Sequence, residues 1–248
     1  MGSLTIISHT EHYRKPDGSI VGLNSTVTEI NHLANIFDNI IHVAMLHNEI
    51  PPPNTLPYLS DYITFIPLPP VGGPKLSDKL SIVFKAPRII NSIRKAILTT
   101  DYFQFRAPTA IGVYAIPYLI YFSNKKGWFK YAGNWKQQHA PLAYRFQRWL
   151  LMKQNRKVTI NGFWPDQPKH CLTFENPCLT NEDIKLGECI TINKKYSDKL
   201  TFCYIGRVEK EKGVERIIKA FKSLDIKYKQ KVQEVHLVGD GSDLEYFK

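Results

Sequence analysis

The sequence predicts an α/β protein with one complete Rossmann-like domain and the first β-α-β part of a second Rossmann-like domain. Short apolar runs of strand type alternate with segments whose apolar residues repeat every three to four positions, which is typical of parallel strands joined by helices. The alternation begins again at residue 200, after a polar stretch without strong periodicity. We therefore expect two domains, each with parallel strands connected by right-handed crossovers.

The predicted domain boundaries follow that polar stretch. Residues 1–180 form the N-terminal domain, residues 181–199 the linker, and residues 200–248 the start of the C-terminal domain. Leu4–Ser8 is the predicted first strand, and His9–Asn24 is predicted to be a polar loop that leads to the first helix. The carboxyl ends of these parallel strands are where a ligand is expected.

Composition narrows the classes of partner. The 248 residues are 43% hydrophobic, which is ordinary for a globular chain, and the formal net charge is +11. This excess of positive charge favours the binding of nucleotides, phosphorylated substrates and anionic lipid. We do not expect nucleic acid as a partner, because no base-reading motif accompanies the charge. Four cysteines without C-x-x-C spacing indicate reduced thiols in a cytoplasmic protein and no metal site.

One strand–loop–helix segment carries the clearest chemical signal. Leu200–Ile205 is a strand pattern that stops at Gly206-Arg207, and the charged loop that follows ends at Lys212-Gly213. Apolar residues then recur from Val214 with the period of an amphipathic helix. A helix N-terminus beside two cations is a site for an anion, and a diphosphate fits. The alternative is a basic loop with both cations solvated.

These motifs resemble those of a known enzyme family. Gly206-Arg207, Lys212-Gly213 and Val238-Gly239-Asp240-Gly241 match, in order and spacing, the large family-4 group of retaining glycosyltransferases with the GT-B fold. The resemblance implies a sugar transferred from a nucleotide sugar to a glycan or lipid-linked acceptor, without a metal or other cofactor. It implies that Arg207 and Lys212 neutralise the leaving diphosphate, and that Gly206 and Gly239 border the donor.

The resemblance covers the N-terminal domain and only the opening of the C-terminal one. The family's pair of donor-binding glutamates would follow Gly241, where seven residues remain, so we expect an incomplete enzyme that is inactive alone. The alternative from another class is a non-catalytic nucleotide- or sugar-binding protein.

Candidate residues in the N-terminal domain follow the strand ends. Gly18 and Gly22 precede the first helix and are predicted to approach the donor, although Gly18 also suits a simple turn. Arg106 follows a strand and is predicted to face the donor, the alternative being a surface arginine. His9 is predicted to orient an acceptor hydroxyl, although a single histidine is more often packed or at the surface.

Two further acceptor candidates follow the next strand. Many relatives carry a histidine near this point, where this chain has Gly133-Asn134-Trp135. The Asn134 amide is predicted to hydrogen-bond a hydroxyl. Trp135 is predicted to stack on an acceptor sugar, with packing as the alternative. An asparagine, Asn176, lies near the domain connection, as in the family.

The segment Pro141–Asn155 is predicted to be a basic amphipathic helix that contains Trp and Phe. Such a helix can lie at an anionic membrane surface. The protein would then be peripheral at the inner face of the membrane. The alternative is a helix that packs on the core and keeps a solvated basic side.

Overall fold

The structure is a computed structural model that describes residues 2–73, 76–174 and 180–247. It divides into two compact units, Met1–Cys178 and Leu179–Lys248. Each unit combines parallel strands with helices, so the predicted α/β class is confirmed. The position of Asn176 lies outside the described residues.

A nine-stranded sheet is the centre of the first unit, within the described residues. Its strands are β1 (Ser3–Arg14), β2 (Ile20–Leu23), β3 (Asn39–His47), β4 (Thr55–Pro57), β5 (Ile63–Leu68), β6 (Tyr102–Ala107), β7 (Lys126–Tyr131), β8 (Val158–Asn161) and β9 (Cys171–Phe174). Parallel pairing gives the order β5-β3-β1-β6-β7-β8-β9, and β2 and β4 add antiparallel strands. The order reverses between β1 and β6, and such a reversal opens a crevice beyond the strand ends.

In the part of the first unit that the structure describes, five helices cover both faces of this sheet. They are α1 (Asn24–Leu33), α2 (Leu76–Phe84), α3 (Ala86–Leu98), α4 (Gly112–Tyr121) and α5 (Leu142–Lys153). The smaller core joins α1 to β1, β3 and β5 through Leu4, Ile6, Ile30, Ile40 and Ile63. The larger core includes Ile93, Ala115 and Leu151 of α3, α4 and α5. Among the described residues, none of the helices is long and apolar enough to cross a membrane.

The polar segment after the predicted first strand is a strand extension and a hairpin, so the prediction of a loop over His9–Asn24 was wrong. β1 continues to Arg14 after an irregularity between Ile7 and Glu11, and its last residues pair with β2. Its first half pairs with β6 instead. Pairing with β2 and β3 satisfies the backbone of this segment, and this tertiary effect outweighs its polar composition.

The second unit contains a parallel pair of strands. Its elements are α6 (Asn181–Asn193), β10 (Leu200–Ile205), a 3₁₀ turn at Lys210–Lys212, α7 (Val214–Lys222), α8 (Ile226–Lys229), β11 (Val232–Val238) and α9 (Leu244–Phe247). β10 pairs with β11 in parallel, which gives the β-α-β unit that the sequence predicted. The Phe221 ring of α7 lies edge-on to Phe202, with centroids 5.0 Å apart.

The predicted linker contains helix α6. Thr180 and Asp183 cap each other reciprocally: the Asp183 N–H donates to Thr180 Oγ1 at 3.1 Å, and the Thr180 N–H donates to Asp183 Oδ2 at 2.8 Å. This capping box fixes the start of the helix, and the helix does not need a buried apolar face for that. None of the residues of α6 is buried.

Candidate active site

A cavity of about 590 Å³ opens in the first unit beside the irregularity within β1 and at the carboxyl ends of β6 and β7. This is the reversal point of the strand order, where ligands of such sheets bind. The polar part of the lining includes His9, Glu11, Ser25, Glu29, Arg106 and Lys130. The structure thus brings together two of the predicted residues, His9 and Arg106, with charged residues that the sequence analysis did not select.

Two buried cations share one carboxylate in this cavity. Arg106 Nη2 lies 3.2 Å from Glu29 Oε1, and Lys130 Nζ lies 2.5 Å from Glu29 Oε2. The side chains of Arg106 and Lys130 are 10% and 3% exposed. Burial lowers the pKa of both cations, while Glu29 acts in the opposite direction. Glu29 therefore pairs with both cations of this cavity.

The N-terminus of α1 faces the same cavity, because Leu23, Ser25 and Thr26 all line it. Leu23 is the N-cap residue and offers no side-chain hydrogen bond, and the first turn contains no acidic residue. No carboxylate of the first turn therefore reduces the partial positive charge of this helix end.

His9 lies at the cavity as a neutral imidazole. Its Nε2 is 3.1 Å from the carbonyl oxygen of Val71, and the side chain is half-buried. Burial is the main cause that lowers the pKa of His9 to about 4. The prediction that His9 orients a hydroxyl therefore remains open, with Nδ1 as the second ring nitrogen.

The local structure favours glycine at both hairpin positions, for reasons that were not predicted from the sequence. Gly22 lies in β2, and a side chain there would overlap the ring of His12. Gly18 has φ +85° in the exposed turn, where its N–H donates to the Lys15 carbonyl oxygen at 2.9 Å. This corrects the interpretation of Gly22 as part of a loop open to an anion, because the position is buried.

The two acceptor candidates in the loop after β7, Asn134 and Trp135, have different environments. Asn134 is exposed, and its Oδ1 accepts from the Lys136 N–H at 3.0 Å. Trp135 is 3% exposed and lies edge-on to Tyr131, with ring centroids 5.0 Å apart. The prediction that Trp135 stacks on a sugar is therefore corrected: its ring fills the core. Arg148 of α5 holds this loop through its Nη1, which donates to the Trp135 carbonyl oxygen at 2.8 Å.

A buried chain of hydrogen-bonded polar side chains was not predicted from the sequence. The His12 Nδ1 lies 2.9 Å from the Thr10 carbonyl, so this nitrogen donates, and Nε2 accepts from Tyr58 at 2.9 Å. Tyr58 then accepts from His42 Nδ1, and His42 Nε2 accepts from Ser8 Oγ at 2.8 Å. Burial lowers the pKa of both histidines. The residues come from β1, β3 and the segment after β4, so no local motif marks them.

The glycine-bearing loops of the second unit lie in backbone contact at the carboxyl ends of β10 and β11. The Gly206 N–H donates to the Val238 carbonyl oxygen at 3.0 Å, and the Val208 N–H donates to the Asp240 carbonyl oxygen at 2.9 Å. Gly239 has φ +151°, and a side chain there would overlap the Gly206 carbonyl oxygen. Gly239 is therefore required where the two loops meet.

The two predicted cations lie on the loop that leads to α7. Arg207 is 68% exposed, and its Nη1 lies 3.0 Å from Glu209 Oε1. Lys212 is exposed, and its N–H closes the turn on the Glu209 carbonyl oxygen at 3.0 Å. Gly213, with φ +80°, then starts the helix without a side-chain cap. In the described parts of the chain, no group of three or more His, Cys, Asp or Glu could hold a metal ion.

Two comparisons with known proteins find glycosyltransferases. Residues 188–248 match the family model described as glycosyl transferases group 1. A segment of 63 residues is 43% identical to an uncharacterized glycosyltransferase of Methanocaldococcus jannaschii, and it covers 25% of this chain and 16% of that protein. The family-model match lies within the second unit, and both matches support a relationship to glycosyltransferases.

A structural comparison covers more of the chain at lower similarity. The UDP-GlcNAc 2-epimerase of Methanocaldococcus jannaschii gives a TM-score of 0.40 at 11% identity, over 96% of this chain and 74% of that chain. A likeness of that size does not by itself indicate a shared function.

Proposed function

We propose that the second unit binds the diphosphate of a nucleotide sugar, and that the protein is a retaining GT-B glycosyltransferase. The observation that carries this proposal is the β10–loop–α7 segment. There, a glycine turn, two cations and an uncapped helix start lie within a sequence that matches the group 1 family. The molecule proposed to receive the sugar is a glycan or a lipid-linked acceptor.

Arg207 and Lys212 neutralise the leaving diphosphate in this proposal. The Arg207 guanidinium has five N–H donors, so an ion pair with Glu209 leaves donors for a phosphate. Gly206 and Gly239 let the backbone approach the same anion. Two cations and a helix end provide the stabilisation that a metal ion would otherwise supply, so we propose no metal.

Retention follows from attack on the same face of the sugar. The acceptor oxygen forms the new bond to the anomeric carbon as the bond from that carbon to the phosphate oxygen breaks. The proton of the acceptor hydroxyl moves to an oxygen of the leaving diphosphate. The developing negative charge lies on the diphosphate, where the cations act.

Residues 1–248 by themselves are proposed to bind nucleotide weakly and to transfer no sugar. Ile205 and Val238 end the two strands and are 80% and 50% exposed, so the apolar surface around the loops is only partly covered. An incomplete pocket limits the affinity for a nucleotide to about the millimolar range. A non-catalytic nucleotide-binding protein is the second candidate, and it would bind without transfer.

We also propose that α5 places the protein at an anionic membrane surface, such as the inner leaflet. Leu142, Phe146 and Trp149 recur on one side of this helix and are 79%, 41% and 50% exposed. The exposed Arg145 and Lys153 flank them. An apolar stripe with basic neighbours suits the interface between headgroups and acyl chains.

Titration of the protein with UDP, GDP and their sugar conjugates tests the diphosphate site. Arg207→Ala and Lys212→Ala should each weaken binding by about tenfold, because each removes a charge-assisted contact. Lys231→Ala is the matched control, since Lys231 is exposed at the opposite end of β11. Wild-type affinity in both loop variants would overturn the proposal.

Sugar transfer is assayed on residues 1–248 and on any longer open reading frame that contains them. The anomeric configuration of the product, read by NMR, tests retention. An inverted product would reject the retaining mechanism. Micromolar nucleotide affinity of residues 1–248 would contradict the proposal of an incomplete pocket.

A further inference from the structure

We propose that Asp243 is a positioning residue for the diphosphate site, because it holds the loop that carries Arg207 and Lys212. The role in binding rests on the proposed function of the second unit. The contacts join two parts of that unit, the cation loop (residues 207–212) and the segment after Gly241 (residues 242–247). Asp243 does not itself touch the ligand in this assignment.

The turn within the cation loop takes its hydrogen-bond acceptor from outside the loop. Lys210 begins the 3₁₀ turn, and the first N–H groups of a helical turn have no partner within it. Glu209 precedes this described turn, and its side chain makes no capping hydrogen bond. The Lys210 N–H instead donates to Asp243 Oδ2 at 2.9 Å. Asp243 thus caps a turn that lies 33 residues earlier in the chain.

Backbone contacts bring the same two segments close together. The Asp243 N–H donates to the Val208 carbonyl oxygen at 3.3 Å, and the Val208 N–H donates to the Asp240 carbonyl oxygen at 2.9 Å. Val208 is 2% exposed, and a side chain at Gly241 would overlap its carbonyl oxygen. The segments therefore pack at backbone distance, so a side chain as short as aspartate reaches the Lys210 N–H.

The ring of Tyr246 adds a contact to the side chain of the same lysine. Lys210 Nζ lies 4.4 Å from the centroid of this ring, and a cation is attracted to an aromatic face. The Tyr246 N–H donates to the Asp243 carbonyl oxygen at 3.1 Å, so one short segment carries both contacts. Arg207 and Lys212 are exposed on either side of Lys210 in the loop. The attachment of Lys210 therefore limits the positions of both cations.

The charge of Asp243 makes the positioning role distinguishable from an electrostatic one. A carboxylate in contact with the cation loop repels a diphosphate that binds there. If Asp243 acted through its charge alone, loss of the side chain would therefore strengthen binding. If Asp243 holds the loop, the same loss weakens binding, because the ligand must then order the loop.

The direct test is titration of residues 1–248, followed by NMR, with inorganic pyrophosphate and with UDP. Asp243→Ala should weaken the binding of both ligands by about threefold to tenfold. Asp243→Asn should bind both close to the wild-type affinity, because the amide oxygen can accept from the Lys210 N–H. Ser242→Ala changes the exposed neighbouring position and is the matched control.

Two outcomes of this titration would overturn the positioning role. If Asp243→Ala binds as tightly as Asp243→Asn, or more tightly, the hydrogen bond to Lys210 does not support the site. If Asp243→Ala weakens the binding of UDP and leaves that of pyrophosphate unchanged, Asp243 contacts the nucleoside directly. Pyrophosphate contains only the diphosphate, so its affinity reports on the cation loop alone.

Amide hydrogen exchange of the protein without ligand tests the attachment of the loop. Exchange of the Lys210 N–H should be about tenfold faster in Asp243→Ala, because local opening becomes easier when the acceptor is lost. It should stay near the wild-type rate in Asp243→Asn and in Ser242→Ala. A wild-type rate in Asp243→Ala would refute the role of Asp243 in holding the loop.

The two measurements separate failure of this proposal from failure of the proposed function. If neither ligand binds, or if binding does not depend on Arg207 and Lys212, the proposed function fails and the binding role of Asp243 fails with it. Hydrogen exchange then still decides whether Asp243 holds the loop. If binding depends on both cations but not on the side chain at position 243, only the positioning role is rejected.

Discussion

The ring of His12 occupies the space where a side chain at Gly22 would lie. Such a side chain would overlap His12 Nε2, the atom that accepts a hydrogen bond from Tyr58. His12 is fully buried. The hairpin that follows β1 and the buried histidine chain therefore depend on each other. The absence of a side chain at Gly22 is a packing requirement at this position.

Gly22→Ala should destabilise the first unit by about 1–3 kcal/mol, because the added methyl group must displace a packed ring. Denaturant unfolding measures the change. Gly18→Asn is the control in the same hairpin, since Gly18 has φ +85° with open space around it and asparagine tolerates that conformation. An alanine variant as stable as the wild type would show that His12 can move.

Glu29→Gln should destabilise the protein by about 3–5 kcal/mol, because it leaves Arg106 and Lys130 buried without their shared carboxylate. Asp166→Asn is the matched control, since Asp166 pairs with Lys136 at the surface. Exposed pairs of that kind contribute about 0–1 kcal/mol. Similar losses in the two variants would contradict the special role of the buried trio.

Acid should weaken the fold through His9 and His12. Burial lowers the pKa of His9 and His12 from 6.5 to about 4. Between these values the unfolded chain binds more protons than the folded chain, so the free energy of unfolding falls as the pH falls. The contribution of each histidine is complete above 6.5 and changes by at most about 1.4 kcal/mol per pH unit below it.

Denaturant unfolding across this pH range measures the effect. His9→Asn should reduce the pH dependence, because it removes one titrating group and an amide can still donate to Val71. A variant with the full pH dependence of the wild type would exclude His9 as a source of it.

Vesicle co-sedimentation should reveal the proposed membrane surface of α5. The protein should bind anionic vesicles and not neutral ones, and added salt should weaken the electrostatic part. Arg145→Gln with Lys153→Gln should reduce binding. Lys185→Gln with Lys199→Gln removes the same charge from exposed positions in the second unit and is the control. Equal loss in both double variants would indicate net charge as the cause.

Periodicity and turn residues predicted the elements that local sequence determines. The β-α-β unit from Leu200 is one example: its strand ends at Ile205, directly before Gly206, and its helix follows Gly213. The hairpin at the end of β1 was missed because its composition is polar and because the same residues of β1 also pair with β3, which is distant in sequence. Trp135 was assigned to a ligand because its type suits stacking, but burial depends on the whole core.

For the cavity too, residues placed by local sequence were predictable, and residues placed by contacts distant in sequence were not. The rule for parallel sheets selected His9 and Arg106, since both follow strands. It could not select Glu29, which lies in the second turn of α1 and meets Arg106 only after the helix packs on the sheet. Ion pairs between residues so far apart leave no spacing pattern in one sequence.

Arg148 binds the loop after β7 through carbonyl oxygens: its guanidinium donates to Trp135 at 2.8 Å and to Gln137 at 3.3 Å. Every residue type has a carbonyl oxygen, so this attachment does not depend on the side chains of the loop. The exposed loop positions can therefore diversify during evolution without loss of the anchor. Replacement of Arg148 would remove these contacts, so part of what holds this surface segment in place lies in a helix outside it.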